Sequence, residues 1–226
     1  MTPAIAPSST VENYLKCIYL QELQREGKLV STGQIATELQ VAPGTATTMA
    51  KNLAEGGLVI YEPYSGVRLT AEGTRIASHV IRRHRVVELF LVEIMGMDWS
   101  KVHTDAELLE HAVSDRLIDR MDEMLGRPQV DPHGDPIPSA TGTIDATVYP
   151  SLLTCPLATP LEVVRVIDQR SEFLRLIETR RLMPGDIVTV VGRDEEADTV
   201  TVNTRKGAPL SLGFRAASKI LVKSDE

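Results

Sequence analysis

The chain has 226 residues, of which 42% are hydrophobic and 24% charged, enough for a packed core and incompatible with wholesale disorder. That length exceeds one minimal domain and suits two, or two with a small added module. The formal net charge of −7 argues against a uniformly basic surface. The charge is unevenly spread, however. Residues 1–73 carry 5 Lys and Arg against 7 Asp and Glu, residues 74–150 carry 8 against 13, and residues 151–226 carry 11 of each. The acid is thus concentrated in the middle third, where carboxylates either face water or hold cations. No apolar run approaches the ~18 residues that span a bilayer. The start, MTPAIAPSST, lacks the basic residues and apolar stretch of a signal peptide. Cys17 and Cys155 form neither a metal nor a redox spacing. The expectation is a soluble cytoplasmic protein with no membrane partner.

Val11 to Leu23 is apolar at helical spacing, with Ser9 or Thr10 as the expected N-cap. A short helix follows from Ser31 and ends near Val41. After the turn Ala42-Pro43-Gly44, a second helix is expected from about Thr45 to Glu55, stopping at Gly56-Gly57. On it Ala46, Met49, Ala50 and Leu53 fall at i, i+3, i+4 and i+7 and form a buried stripe, which leaves Thr45, Thr47, Thr48, Lys51 and Asn52 facing out. Leu58–Glu62, the turn Pro63-Tyr64-Ser65-Gly66 and Val67–Leu69 predict a two-stranded hairpin. Helix, turn, helix and hairpin make a winged helix-turn-helix, whose second helix is sized for a DNA major groove. Ala42, Gly44, Thr45, Thr47, Thr48, Lys51 and Asn52 are the candidate DNA contacts. Short hydroxyls can meet thymine methyls and phosphates, so base readout would be modest. The other use of such a module is protein contact alone.

A long helix is expected from about Ala71 to Ile94, carrying Arg82-Arg83-His84-Arg85 and then Glu88; His84 and Glu88, four apart, project from one face. Next come His103, Glu107, Glu110 and His111, which in a continuous helix share one stripe. Imidazole nitrogens and carboxylate oxygens on one stripe are the donors a divalent transition ion takes, and a second helix can complete the shell. A solvated, salt-bridged face is the alternative. His79 has no acidic neighbour in sequence. His133 sits in Asp131-Pro-His-Gly-Asp-Pro-Ile-Pro138, a loop that its prolines and glycine explain, and is read as structural. Ser139–Pro160 reads as a linker. Beyond Val163, Met183–Val191, Thr199–Asn203 and Ala216–Val222 read as short strands with Gly and Pro turns, which suits a small barrel.

Along essentially its whole length the chain resembles the diphtheria toxin repressor family of metal-dependent transcriptional repressors. The resemblance rests on Tyr14-Leu-Lys-Cys-Ile-Tyr19, Glu55-Gly-Gly-Leu58, Arg82-Arg-His-Arg85, Lys101-Val-His103, Glu110-His-Ala-Val-Ser-Asp115 and Gly134-Asp-Pro-Ile-Pro138, in this order and spacing. It implies a mainly α protein with small β parts. The parts would be a winged helix-turn-helix (1–73), a helical dimerisation and metal domain (74–138), a linker (139–160) and an SH3-like barrel (161–226). It further implies two metal ions per subunit. One would be held by Asn13, Glu107, Glu110 and His111, the other by His84, Glu88 and His103 with help from the barrel, where Gln169 and Glu172 are the best match in reversed order.

By the same resemblance, iron-type members carry a cysteine where Glu107 stands and a methionine where Asn13 stands. Oxygen in place of two sulfurs favours Mn(II) over Fe(II). Lys16 stands where the short manganese-type form has a glutamate, which disfavours that form's closely spaced metal pair. The expected function is an Mn(II)-loaded homodimeric repressor on palindromic operator DNA, with Fe(II) as the alternative metal and with no enzymatic activity or small-molecule substrate. The rivals from other classes are a metal-dependent hydrolase and a metal buffer without DNA function.

Overall fold

The computed structural model describes residues 7–23, 28–145, 147–205 and 208–224; the first six residues, part of the start MTPAIAPSST that lacks signal-peptide features, lie outside them. The chain forms two compact units, one of Met1–His84, Glu110–Val113 and Pro138–Ala146, the other of Arg85–Leu109, Ser114–Ile137 and Thr147–Glu226.

The first unit contains the winged helix-turn-helix. Helix α1 (Ser9–Leu23) buries Tyr14, Leu15, Cys17, Ile18 and Tyr19. Its cap is Ser8, one residue before the expected pair, since the Ser8 carbonyl accepts from Glu12 N at 2.9 Å and its hydroxyl from Val11 N at 3.4 Å. Helix α2 (Thr32–Glu38) opens with a capping box in which Ser31 and Gln34 satisfy each other's backbone, a feature that contributes about 1 kcal/mol. It ends at Glu38, short of Val41, and Gln40 reverses the chain in the left-handed region. Helix α3 (Pro43–Glu55) starts two residues before the expected Thr45. Pro43 is tolerated in the first turn because no helical hydrogen bond there needs its missing N–H. Ala46, Ala50 and Leu53 are buried as the stripe predicts, with Met49 packed at the edge. Strands β1 (Val59–Glu62) and β2 (Gly66–Leu69) pair antiparallel in the register Val59 to Leu69 through Glu62 to Gly66. Leu15, Ile18, Val30, Ile35, Leu53, Val67 and Ile81 make the core, and each fully buried side chain of this kind stabilises by roughly 1.5–3 kcal/mol.

Helix α4 (Ala71–Glu93) runs from the first unit into the second. A Cβ on Gly73 would lie 2.0 Å from the Leu58 carbonyl oxygen, so the hairpin and helix can meet only at a glycine. Helices α5 (Val102–Leu109) and α6 (Asp115–Met124) follow. Helix α5 stops at Leu109, which corrects the expectation of one stripe from His103 to His111. Only His103 and Glu107 share it, while Glu110 and His111 lie in the turn that belongs to the first unit.

In the second unit, β3 (Pro160–Val166), β4 (Ile187–Asp194), β5 (Thr199–Thr204), β6 (Leu210–Gly213) and β7 (Ile220–Ser224) form an antiparallel sheet in the order β6-β5-β4-β3-β7. This is the SH3-like arrangement expected of the last third. Two helices interrupt it, α7 (Ser171–Arg180) and the single turn α8 (Phe214–Ala217), so Ala216 and Ala217 are helical and not part of the expected strand. Strand β4 begins at Ile187 because Met183-Pro-Gly-Asp186 is a turn, with Gly185 at φ 92°. Leu152 and Cys155, from the segment read as a linker, are buried in this unit's core with Leu161, Val163, Leu174, Val190 and Ile220.

Candidate metal centre

In the first unit, α1 puts Glu12, Asn13 and Lys16 on one face, and the turn after α5 brings Glu110 and His111 to it. His111 Nδ1 lies 2.6 Å from Glu12 Oε2 and Nε2 lies 2.7 Å from Asn13 Oδ1. Nε2 is also 3.4 Å from Glu110 Oε1. Glu12 is fixed in turn by Arg83 Nη2 at 2.6 Å. A carboxylate behind Nδ1 orients the ring and directs Nε2 forward, the arrangement that prepares a histidine for a metal. Glu110 is fully buried, and its Oε1 has no hydrogen-bond partner. An orphaned buried carboxylate oxygen beside an imidazole nitrogen and an amide oxygen is a costly arrangement without a cation. Separations near 3 Å are those of adjacent donors on an ion with bonds of about 2.1 Å at right angles. The residues present therefore fit a divalent ion with a preference for oxygen and nitrogen.

The other oxygen of Glu110 is already engaged. Its Oε2 lies 2.8 Å from Lys16 Nζ and 2.5 Å from His84 Nδ1, and Lys16 Nζ is 3.1 Å from that same nitrogen. Burial by itself would raise the Glu110 pKa, but the His84 hydrogen bond and the Lys16 ammonium outweigh it and hold the carboxyl below its ordinary value.

In the second unit, Glu88 is fully buried on α4, with Oε1 3.1 Å from His103 Nδ1; His103 Nε2 is 3.7 Å from Glu107 Oε1. Glu88 and His103, expected in one site, are thus brought together, with Glu107, expected in the other, beside His103. A further group that the sequence reading did not assign meets the same carboxylate. His133, Asp131 and Glu88 offer donor atoms within 4.8 Å of one another, all buried. His133 Nε2 lies 3.0 Å from the Trp99 carbonyl oxygen. A carbonyl only accepts, so Nε2 carries the hydrogen and Nδ1 presents a lone pair. That lone pair is 3.8 Å from Glu88 Oε2 and has no hydrogen-bond partner. Burial, chiefly, pulls the His133 pKa down against the opposing pull of Glu88. Asp131 is pushed up by burial and by the charges of Asp135 and Glu88. Its Oδ1 accepts from the backbone of His133 and Asp135 at 2.8 and 2.9 Å, and its Oδ2, without a hydrogen bond, lies 3.8 Å from Arg85 Nε. The sharp loop exists because Gly134 sits at φ 85°, where a Cβ would lie 1.9 Å from the Val164 oxygen. Read as structural from its prolines and glycine, His133 also brings a buried lone pair toward Glu88. The signal was the Asp131-Pro-His133 spacing, which aims two donors inward from one tight loop.

Gln169 donates to Asp135 Oδ2 at 2.6 Å, and Glu172 is exposed in the first turn of α7. Among the described residues, the His, Cys and acid groups close enough to hold an ion do not include Glu172. On α3 and the turn before it, Ala42, Gly44, Thr45, Thr48, Lys51 and Asn52 are exposed, while Thr47 is half-buried and donates to the Pro43 carbonyl at 2.9 Å. Thr47 is accordingly the residue of this set whose hydroxyl is engaged within its own helix.

Comparison with known proteins identifies the family. Residues 8–67 match the family described as "Iron dependent repressor, N-terminal DNA binding domain", residues 70–139 its "metal binding and dimerisation domain", and residues 151–224 the "FeoA domain". The chain is 30% identical over 197 residues to the diphtheria toxin repressor of Corynebacterium diphtheriae, covering 82% of this chain and 85% of that protein. It is 29% identical over 211 residues to the iron-dependent repressor IdeR of Mycobacterium tuberculosis, covering 90% and 87%. A solved manganese-dependent transcriptional repressor in complex with manganese superposes with a TM-score of 0.87 at 38% identity, covering 95% of this chain and 99% of that one. No helix among the described residues is long and apolar enough to cross a membrane. The chain belongs to the diphtheria toxin repressor family of metal-dependent transcriptional repressors, whose members are not enzymes.

Proposed function

We propose that the protein is an Mn(II)-dependent repressor that binds palindromic operator DNA as a homodimer in the cytoplasm and controls metal-homeostasis genes. The observation that carries this reading is the orphaned Glu110 Oε1 beside His111 Nε2 and Asn13 Oδ1, three oxygen and nitrogen donors without sulfur. The first ion is assigned to Asn13, Glu110 and His111, with Glu107 added on the family resemblance. The second is assigned to Glu88, His103 and His84, which sits one turn before Glu88 on α4. The lone pair of His133 and the Asp131 carboxylate are further donors toward Glu88, in preference to Gln169 and Glu172. Fe(II) is the second reading, favoured by the iron named in the matching family and in IdeR.

When bound, a divalent ion supplies two positive charges and a cross-link among side chains distant in sequence. Asn13 lies on α1 of the winged helix, whereas Glu110 and His111 lie in the turn after α5, 97 and 98 residues further on. Donors shared across that gap restrain α1 against the turn, and Glu12 holds the His111 ring for the purpose. A dimer presents two α3 helices that must meet successive major grooves about one DNA turn, ~34 Å, apart. A 100-fold gain in operator affinity needs a coupling of about 2.7 kcal/mol. Dimer contacts are assigned to the exposed apolar side chains Leu108, Leu109, Leu117 and Met124 on and beside α5 and α6. The domain division assigned is 1–73, 74–138, a linker at 139–160 whose Leu152 and Cys155 pack into the last domain's core, and 161–226.

Glu107→Ala and His111→Ala are each expected to weaken Mn(II) binding, read by electron paramagnetic resonance of the free ion, and metal-stimulated DNA binding together. A variant with wild-type metal response would remove that residue from the site.

A further inference from the structure

Both carboxylates of the first-unit cluster come with a cation of their own. Glu12 has the Arg83 guanidinium at 2.6 Å, and Glu110 has the Lys16 ammonium at 2.8 Å. Lys16 is one turn after Glu12 and Asn13 on α1, and its side chain is 11% exposed against 0% for Glu110. A long, flexible, strongly hydrated side chain held in this position gives up solvation and rotamer freedom. Its placement is selective, since Nζ donates to Glu110 Oε2, close to His84 Nδ1, while Oε1, 3.4 Å from His111 Nε2, has no hydrogen bond.

We propose that Lys16 is a built-in counter-ion that sets the metal affinity of the Asn13–Glu110–His111 site, holding Glu110 in place while cancelling most of its attraction for a divalent cation. The inference rests on the metal reading above and deepens it. An ion entering at Oε1 meets a carboxylate whose charge is already compensated a few ångströms away, in a buried setting where that distance is felt strongly. Binding then depends on donor geometry more than on net charge. A site so attenuated empties and fills as the free metal level changes, whereas an uncompensated pair of buried acids would stay loaded. Lys16 is thus a positioning residue with an electrostatic sign opposite to that of the ligands it positions.

The sign makes the test decisive. Mn(II) affinity of the full-length protein is measured from the free-ion paramagnetic resonance signal, without DNA. Lys16→Leu removes the charge and cannot ligate; Lys16→Gln keeps a hydrogen-bond donor for Glu110 without the charge. Both are expected to bind Mn(II) at least about tenfold more tightly than wild type, and Lys16→Arg to restore weak binding. The neutral variants should also melt at lower temperature without metal and gain more from Mn(II) than wild type gains, so that a loss of metal-free stability is itself part of the expected result. Unchanged or weaker binding in both neutral variants would overturn the inference and leave Lys16 a structural prop for Glu110. Absence of Mn(II) binding by wild type would overturn the metal reading and this inference with it.

Discussion

Glu110 divides its two oxygens between a lysine and a bare, buried position, and that division is the kind of detail on which residue-scale behaviour depends. Glu12 and His111 form a second unit of the same sort, with one carboxylate steering one ring. Elsewhere a buried acid is paired with two cations. Asp168 accepts hydrogen bonds from Arg170 at 3.0 and 2.7 Å and is paired with Lys219. Arg170, chiefly, and Lys219 hold the Asp168 carboxyl well below its usual range against the opposing effect of burial. A pKa depressed in the folded state contributes stability that is present above the unfolded value, about 4, and is lost as the pH falls toward the folded value. Asp168→Asn is therefore expected to destabilise the protein by about 1–3 kcal/mol at pH 7. In paired urea melts the gap between the two proteins should narrow below pH 4, and a gap that widens on acidification would contradict the pairing. Of the residue-level picture, the sequence made legible the histidine and glutamate pairs, because spacing along a helix fixes which side chains are neighbours. It did not reveal Glu12, whose role depends on a histidine 99 positions away. Nor did it reveal His133, whose lone pair is freed only by the carbonyl of Trp99.

At the scale of elements, boundaries moved by a few residues where local chemistry overrode periodicity. Helix α3 gained Pro43 in its first turn, α2 lost its end to a left-handed Gln40, and α5 stopped at Leu109 and released Glu110 and His111 toward α1. That last break matters most, because a continuous helix would have kept all four candidate donors on one stripe. The two helices within the last third were not legible as such, since their apolar residues, Phe173, Leu174 and Ile177 in α7, also suit a strand-rich core. Helix α3 keeps its outward face as expected, with Lys51 its exposed cation. Lys51→Ala is expected to weaken DNA binding severalfold for any sequence and to reduce the salt dependence by about one unit of slope, with Mn(II) affinity unchanged. A large loss of metal affinity would contradict the separation of recognition helix and metal site.

At the scale of the whole molecule, the winged helix, the helical segment and the terminal sheet were all readable in order, because each has its own periodicity and turn chemistry. Membership of the repressor family is shown by relatives that span most of both chains. On the proposed function, metal gates DNA recognition through the turn after α5. The most direct test is enrichment of sheared genomic DNA from the source organism on the purified protein, with Mn(II), with anaerobic Fe(II) or with chelator. A metal-gated repressor should recover a few palindromic fragments with metal and none with chelator, and should do so at lower concentration of Mn(II) than of Fe(II). Equal recovery of the same fragments with chelator would contradict it.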